Sequence, residues 1–132
     1  MSYLADTHIF LWTVFSPKKI SRKVKDILLD PEHTKYVSVI TFWEIALKFS
    51  LGKMVLTDIL PDALPAIAKE TGFEILHLDA DLTSSFYKLP KIANKDPFDR
   101  MLAWQAISKD YILLTNDRDF ADYKAQGLKM VW

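Results

Sequence analysis

Short apolar runs alternate along the chain with stretches whose apolar positions recur at helical spacing, a pattern that predicts βα units wound around a parallel sheet. The first run, Tyr3 to Ala5, reads as a strand ending at Asp6, followed by a helix over Ile9 to Val14 that Pro17 closes. Ser21 is placed to cap a second helix reaching Leu29, and Asp30-Pro31 ends it, because proline disfavours helical geometry in the residue before it. Tyr36 to Ile40 predicts a buried strand, and a helix from Phe42 to Leu51 follows, stopped by Gly52. Then come a helix near Asp62 to Glu70, a strand from Glu74 to Leu78, a short helix from the cap Asp79 to about Tyr87, and a loop over Leu89 to Lys95. A helix from Pro97 to Lys109, a strand at Tyr111 to Leu114, a short helix near Phe120 to Ala125 and a strand at Lys129 to Val131 complete the order.

Parallel strands joined by helices cross over with one hand, which brings all the strand C-termini to one edge of the sheet. Ligands of open α/β sheets bind outside that edge, so the chemistry is sought there. A length of 132 residues suits a single domain over 1–132, and with half the residues apolar there is ample material for a core. The absence of cysteine excludes disulfides and thiolate metal sites, and a reducing, cytoplasmic setting is expected. No window approaches the ~20 apolar residues of a membrane span and no export signal opens the chain, so no membrane association is expected. Basic and acidic residues balance at 17 each, so a nucleic-acid partner would have to be attracted by a local patch. The densest such patch is Lys18, Lys19, Arg22, Lys23 and Lys25, which a solvated helix face explains equally well.

The predicted edge gathers acids from four separate segments. Asp6 follows the first strand, Glu44 lies in the first turn of the helix after the second, Asp96 and Asp99 open the helix before the fourth, and Asp117 and Asp119 follow that strand. Converging carboxylates repel unless cations neutralise them or some stay protonated. All-oxygen ligation suits a hard ion, magnesium (Mg2+) or manganese (Mn2+). Each acid also has a structural role open to it. Thr41 and Glu44 have the spacing of a capping box, Glu44 could pair with Lys48 one turn on, Asp96-Pro97-Phe98-Asp99 has the form of a helix start, and Asp117 or Asp119 could cap the last helix. Asp6 has no stabilising role as obvious as these. The three histidines, His8, His33 and His77, lack metal-ligand spacing with one another.

Leu4-Ala5-Asp6-Thr7-His8, Ser38-Val39-Ile40-Thr41-Phe42-Trp43-Glu44-Ile45, Asp96-Pro97-Phe98-Asp99-Arg100 and Thr115-Asn116-Asp117 resemble, in that order, the motifs of PIN domains. The Trp43-Glu44 and Asp96-to-Arg100 segments resemble in particular the VapC-type toxins of toxin-antitoxin pairs. The likeness spans nearly the whole chain. It implies a three-layer α/β/α fold around a mainly parallel sheet of four to five strands, and a metal-dependent ribonuclease selective for single-stranded RNA. Asp6, Glu44, Asp99 and Asp117 match the family's four acidic positions, both catalytic and metal-holding, with Thr115 beside the metal and Asp96 and Asp119 farther out. Two ions roughly 3.5–4 Å apart would serve the attacking and leaving oxygens of an in-line displacement, leaving a 5′-phosphate. Arg100 is a candidate phosphate contact, and an ion pair with Asp96 or Asp119 accounts for it as readily.

Phe10, Trp12, Phe15, Phe42, Trp43 and Phe49 are expected in the core rather than as a base-stacking platform. Two helices this aromatic could still leave an apolar face, suited to a homodimer and, by the resemblance, to an antitoxin peptide. Rival readings are an aspartyl-nucleophile phosphatase, a receiver-like magnesium-binding signalling domain, and a non-catalytic PIN scaffold. The first wants a second aspartate where His8 stands, and the second a lysine where Asn116-Asp117 stands.

Overall fold

The computed structural model describes residues 1–92 and 95–132; the part of the predicted Leu89-to-Lys95 loop at positions 93 and 94 lies outside them. Five strands, β1 (Ser2–Ala5), β2 (Thr34–Ser38), β3 (Glu74–Leu76), β4 (Ile112–Leu114) and β5 (Lys129–Val131), form one sheet in the order β3-β2-β1-β4-β5, with every pairing parallel. Six α-helices lie among the described residues: α1 (Thr7–Phe15), α2 (Arg22–Leu29), α3 (Val39–Ser50), α4 (Leu64–Glu70), α5 (Ala80–Ser84) and α6 (Pro97–Lys109). Turns of 3-10 helix at Pro17–Lys19, Pro61–Ala63, Phe86–Lys88 and Arg118–Gln126 complete the connections. None of the helices among the described residues is long and apolar enough to cross a membrane.

Period-two alternation along the short strands divides the core. Tyr3, Ala5, Val37 and Leu114 pack with Ile9, Phe10, Val24, Ile45, Leu64 and Ala68 of α1 to α4 on one face. Leu4, Leu76 and Leu113 pack with Leu102, Ala103 and Ala106 of α6 on the other, with Phe120 and Tyr123 beside them. The result is the expected three-layer α/β/α arrangement. Each fully buried leucine or phenylalanine contributes roughly 1.5–3 kcal/mol, against about 0–1 kcal/mol for an exposed ion pair, so apolar packing is what holds the sheet edge in place.

Because the strand order runs outward from β1 in one direction through β2 and in the other through β4, the chain reverses its course between β1 and β4. A crevice at the carboxyl ends of two such strands is where ligands of open α/β sheets settle. Asp6 follows β1 and Thr115 follows β4, so this point of reversal lies between them.

Two predicted boundaries shift with consequences for the site. Helix α1 starts at Thr7 rather than Ile9, because Asp6 caps it and its Oδ1 accepts the Ile9 N–H at 2.8 Å. Asp6 therefore does have a structural role. Helix α3 starts at Val39 rather than Phe42, since the Ser38 hydroxyl caps it by accepting the Ile40 N–H at 3.0 Å. The β-branched Val39-Ile40 pair read as strand, but the serine cap decides the start. Thr41 is thus not a cap, no Thr41–Glu44 capping box forms, and Glu44 falls in the second turn. The strand at Glu74 ends at Leu76 instead of Leu78, leaving His77 exposed beyond it.

Candidate active site

At the β1–β4 crevice the carboxylate of Asp6 is almost wholly out of solvent, 2% exposed, and Thr115 is 1% exposed. One Asp6 oxygen serves as the α1 cap and the other accepts the Thr115 hydroxyl proton. The Thr115 oxygen in turn accepts the Asp117 N–H at 3.0 Å, fixing the turn that carries Asp117. Burial pushes the Asp6 carboxyl above the ordinary aspartate value of 3.8; the Thr115 hydroxyl, the Ile9 N–H and the charge of His8 oppose that rise, and Asp117 adds to it. Asp6 is therefore a desolvated carboxyl whose charged form is disfavoured and supported chiefly by dipoles, a position at which a cation would be welcome.

Glu44 lies on the neighbouring helix and is just as buried, 3% exposed. Thr7, the residue after Asp6, donates its hydroxyl to Glu44 Oε1 at 2.7 Å, and the Thr7 and Thr41 hydroxyl oxygens are 3.1 Å apart. Since Thr7 has one proton and gives it to Glu44, Thr41 is the donor in the second bond. On its other oxygen Glu44 accepts from Lys48 Nζ at 2.5 Å, the i,i+4 pair that the spacing allowed. Burial works against the charge of Lys48, but its bond to Glu44, the Glu44 charge, and the charges of Asp96 and Asp99 together raise its pKa. Lys48 thus places an ammonium where it feels three of the acids.

Asp96 caps α6, accepting the Phe98 N–H at 2.8 Å and the Asp99 N–H at 3.2 Å, with Pro97 at the first helical position as predicted. Half-buried Asp99 sits in that first turn. The Trp43 and Phe98 rings meet edge to face with centroids 5.2 Å apart, tying α3 to the start of α6 beside Glu44 and Asp99. Asp117 caps the 3-10 segment Arg118–Gln126 by accepting the Asp119 N–H at 2.9 Å, while the Asp119 side chain is exposed.

The edge thus falls into two linked groups: Asp6, Thr115 and Asp117 at the crevice, and Glu44, Lys48, Asp96 and Asp99 on the α3–α6 side, joined through Thr7. Among the described residues no three acidic or imidazole side chains are gathered closely enough to hold one ion as they stand. The chemistry of the donors still suits a hard divalent ion, since every candidate is a carboxylate and the most buried of them carries a disfavoured charge. Such an ion would compete with Lys48 for Glu44.

Arg100 is engaged within the fold. Its Nη1 donates to the Pro90 carbonyl at 3.1 Å and the Tyr123 hydroxyl at 2.9 Å, its Nη2 to the Leu89 carbonyl at 3.2 Å, and its guanidinium lies 5.2 Å from the Phe86 ring centroid. Trp104 ties α6 to α5 by donating Nε1–H to the Leu82 carbonyl at 3.0 Å. The sequence offers Thr41 to Glu44 only as a capping box and gives Thr7 no role of its own. The bonds from Thr41 to Thr7, 34 residues apart, and from Thr7 to Glu44, 37 apart, depend on where α3 begins, and the local hint is a threonine directly after Asp6.

The family model for the PIN domain matches residues 3–126. Among solved structures, the chain resembles VapBC2 of Rickettsia felis bound to a DNA fragment from their promoter, at 20% identity over 99% of this chain and 98% of that one, TM-score 0.67. VapBC-1 of nontypeable Haemophilus influenzae matches at 20% identity over 99% and 97%, TM-score 0.67. VapBC-5 of Mycobacterium tuberculosis, from the VapBC family of toxin-antitoxin systems, matches at 17% identity over 98% and 95%, TM-score 0.59. No curated protein matches the chain.

Proposed function

The chain belongs to the PIN-domain family, a family of nucleases, and from that premise we propose that it is a metal-dependent endoribonuclease that cleaves single-stranded RNA as the toxin of a toxin-antitoxin pair. The observation that carries this reading is Asp6, a buried carboxylate of disfavoured charge at the sheet's point of reversal, with Asp117 acting on it from one side and Thr7 leading to Glu44 on the other. Asp6, Glu44, Asp99 and Asp117 would hold magnesium or manganese. When bound, the ion supplies Lewis acidity toward a phosphodiester and neutralises charge on its oxygens.

The chain's own residues prepare that chemistry. Thr115 orients Asp6 and the Asp117 turn at once. Thr41 and Thr7 form a hydroxyl relay that fixes one oxygen of Glu44 in a buried setting, which excludes water from that side. Lys48, about one-third exposed at the side chain, keeps a positive charge beside Glu44 and facing Asp96 and Asp99, where it can also meet an approaching phosphate. Asp96 holds the first turn of α6 so that Asp99 is presented at the same edge.

The partner reading rests on α3. Trp43, Leu47 and Leu51 recur every four residues and are 60%, 37% and 58% exposed, so an apolar stripe starts next to Glu44 and runs down the helix. Such a stripe suits the apolar face of a partner segment, here an antitoxin, and a second copy of the chain is the other occupant we infer. The likeness to VapBC complexes supports the former. We propose a cytoplasmic setting, with which a cysteine-free composition is in keeping.

The test is to incubate the purified chain with a pool of transfer and messenger RNA, first with manganese and then with chelator. Fragments that appear with manganese and vanish with chelator are expected. Cleavage that persists under full chelation removes the metal mechanism.

A further inference from the structure

At the crevice, rings and cations continue outward from the acids. The exposed imidazole of His8, close enough to Asp6 to act on its charge, lies with its centroid 6.0 Å from Trp12. Trp12 in turn lies 6.0 Å from Trp132, at 59° between planes, and Lys19 Nζ stands 5.9 Å from the Trp12 centroid. Trp12 is partly committed to the core, but Trp132 is 40% exposed. Its surroundings include a cavity of about 190 Å³ lined by Thr115, Asn116, Asp117, Arg118, Met130 and Val131 together with Trp132 itself. Thr115 and Asp117 are members of the acidic site, so cavity and site share a wall.

That volume is below the roughly 300 Å³ at which closed small-molecule pockets begin. It has room for one planar group of a ligand whose remainder lies elsewhere. An aromatic face with flanking cations is the combination by which proteins take up single strands without reading sequence, the base stacking on the ring and the backbone held by charge. The exposed Arg118 on the cavity wall and Lys19 over the neighbouring indole supply such cations.

We propose that Trp132, backed by Trp12, is a stacking platform for one base of the single-stranded RNA substrate, adjoining the scissile position on the Asp117 side, with Arg118 and Lys19 holding the flanking phosphates. This rests on the nuclease reading for the identity of the strand, but not for its test. Trp132 is a positioning residue. It seats the strand next to the acids without touching the reacting phosphodiester.

The experiment measures binding in the Asp99→Asn background with magnesium, by fluorescence anisotropy of a short labelled oligouridylate and of the same strand made abasic throughout. Trp132→Ala and Trp132→Leu should each weaken oligouridylate binding about tenfold, in keeping with loss of one stacked base. They should leave the abasic strand bound as tightly as before, and Trp132→Phe should recover most of the loss. Parental affinity in both Ala and Leu variants overturns the platform, as does an equal loss on both strands, which would assign Trp132 to packing. If those variants bind RNA normally but no longer associate with a second copy of the chain, the ring belongs to a protein interface and the proposal is also overturned. A parental chain that binds the strand in this base-dependent way yet never cuts it defeats the nuclease reading alone.

Discussion

Glu44 and Asp6 are buried to nearly the same degree on the same edge of the sheet, 3% and 2% exposed, yet the fold treats their charges differently. Glu44 has an ammonium on one oxygen and a hydroxyl relay on the other. Asp6 has a helix cap's N–H and a threonine hydroxyl, with His8 acting on it only through its charge, and its pKa rises. Burial alone therefore does not decide what a carboxylate is for. Where an ammonium touches the carboxylate its charge is paired as folded; where the direct partners are an N–H and a hydroxyl, ionisation is disfavoured despite the charge of His8, and that is the end of the edge at which we propose an ion gains most.

The sharpest way to break this contrast is catalysis. Asp6→Asn keeps the α1 cap, because asparagine caps as well as aspartate, but removes the charge. Cleavage of single-stranded RNA should fall by at least about a hundredfold, the scale for losing one group that stabilises developing charge, while circular dichroism stays unchanged. Asp99→Asn should behave alike. Parental rates in either variant would remove it from the reaction.

Next in size is the built-in cation. Lys48→Met strands Glu44 with one hydroxyl partner, and a pair whose lysine is about one-third exposed should be worth about 1–2 kcal/mol, between a surface pair and a fully buried one. Chemical denaturation in chelator measures it. Manganese should then stabilise the variant more than it stabilises the parent, since the ion no longer competes with an ammonium; equal stabilisation would separate Glu44 from the metal site.

A smaller effect is expected at Thr115. Thr115→Val keeps the shape but removes the hydroxyl that serves both Asp6 and the Asp117 N–H, at a cost of about 1 kcal/mol. Because that hydroxyl opposes the rise of the Asp6 pKa, nuclear magnetic resonance titration should find the carboxyl higher still in the variant.

The last prediction concerns pH and stability without metal. With its folded pKa above the ordinary 3.8, Asp6 binds its proton more firmly in the folded chain than in the unfolded one. Stability contributed by this group accordingly falls as pH rises from 3.8 through the folded value, and the deficit persists at neutral pH. In chelator, Asp6→Asn should be more stable than the parent at neutral pH, and the difference should shrink as acid protonates Asp6. A variant less stable at pH 7 would show that the charge is already compensated.

Much of the fold was legible locally. Helix α6 begins at Pro97 and ends at Lys109 as read, because Asp96-Pro97 is a start signal whose partners are its immediate neighbours, and the Asp110 that follows takes a left-handed conformation. Ser21 caps α2 for the same reason. Helix α3 starts three residues before the position the pattern predicts, because β-branched Val39 and Ile40 favour strand while Ser38 before them favours a helix start, and local propensity does not rank the two. Trp43 was expected in the core with its neighbours, yet it is 60% exposed, since helical spacing alone does not say which face meets the sheet. Arg100, which the sequence offers as a phosphate contact or as an ion-pair partner of Asp96 or Asp119, gathers the Leu89 and Pro90 carbonyls and the Tyr123 hydroxyl, partners that only the packed chain brings together.

By itself the sequence determined the order of strands and helices, the caps, and the delivery of acids to strand ends, because periodicity, capping and proline geometry act over a few residues. Whereas the Lys48 partner of Glu44 lies one turn along the same helix, tertiary structure decided which distant group serves each buried acid and how far its charge is desolvated. That choice turns on a hydroxyl 109 positions from Asp6 and another 37 from Glu44, and on the depth of burial, since desolvation and Coulomb energy depend on distance through space rather than along the chain.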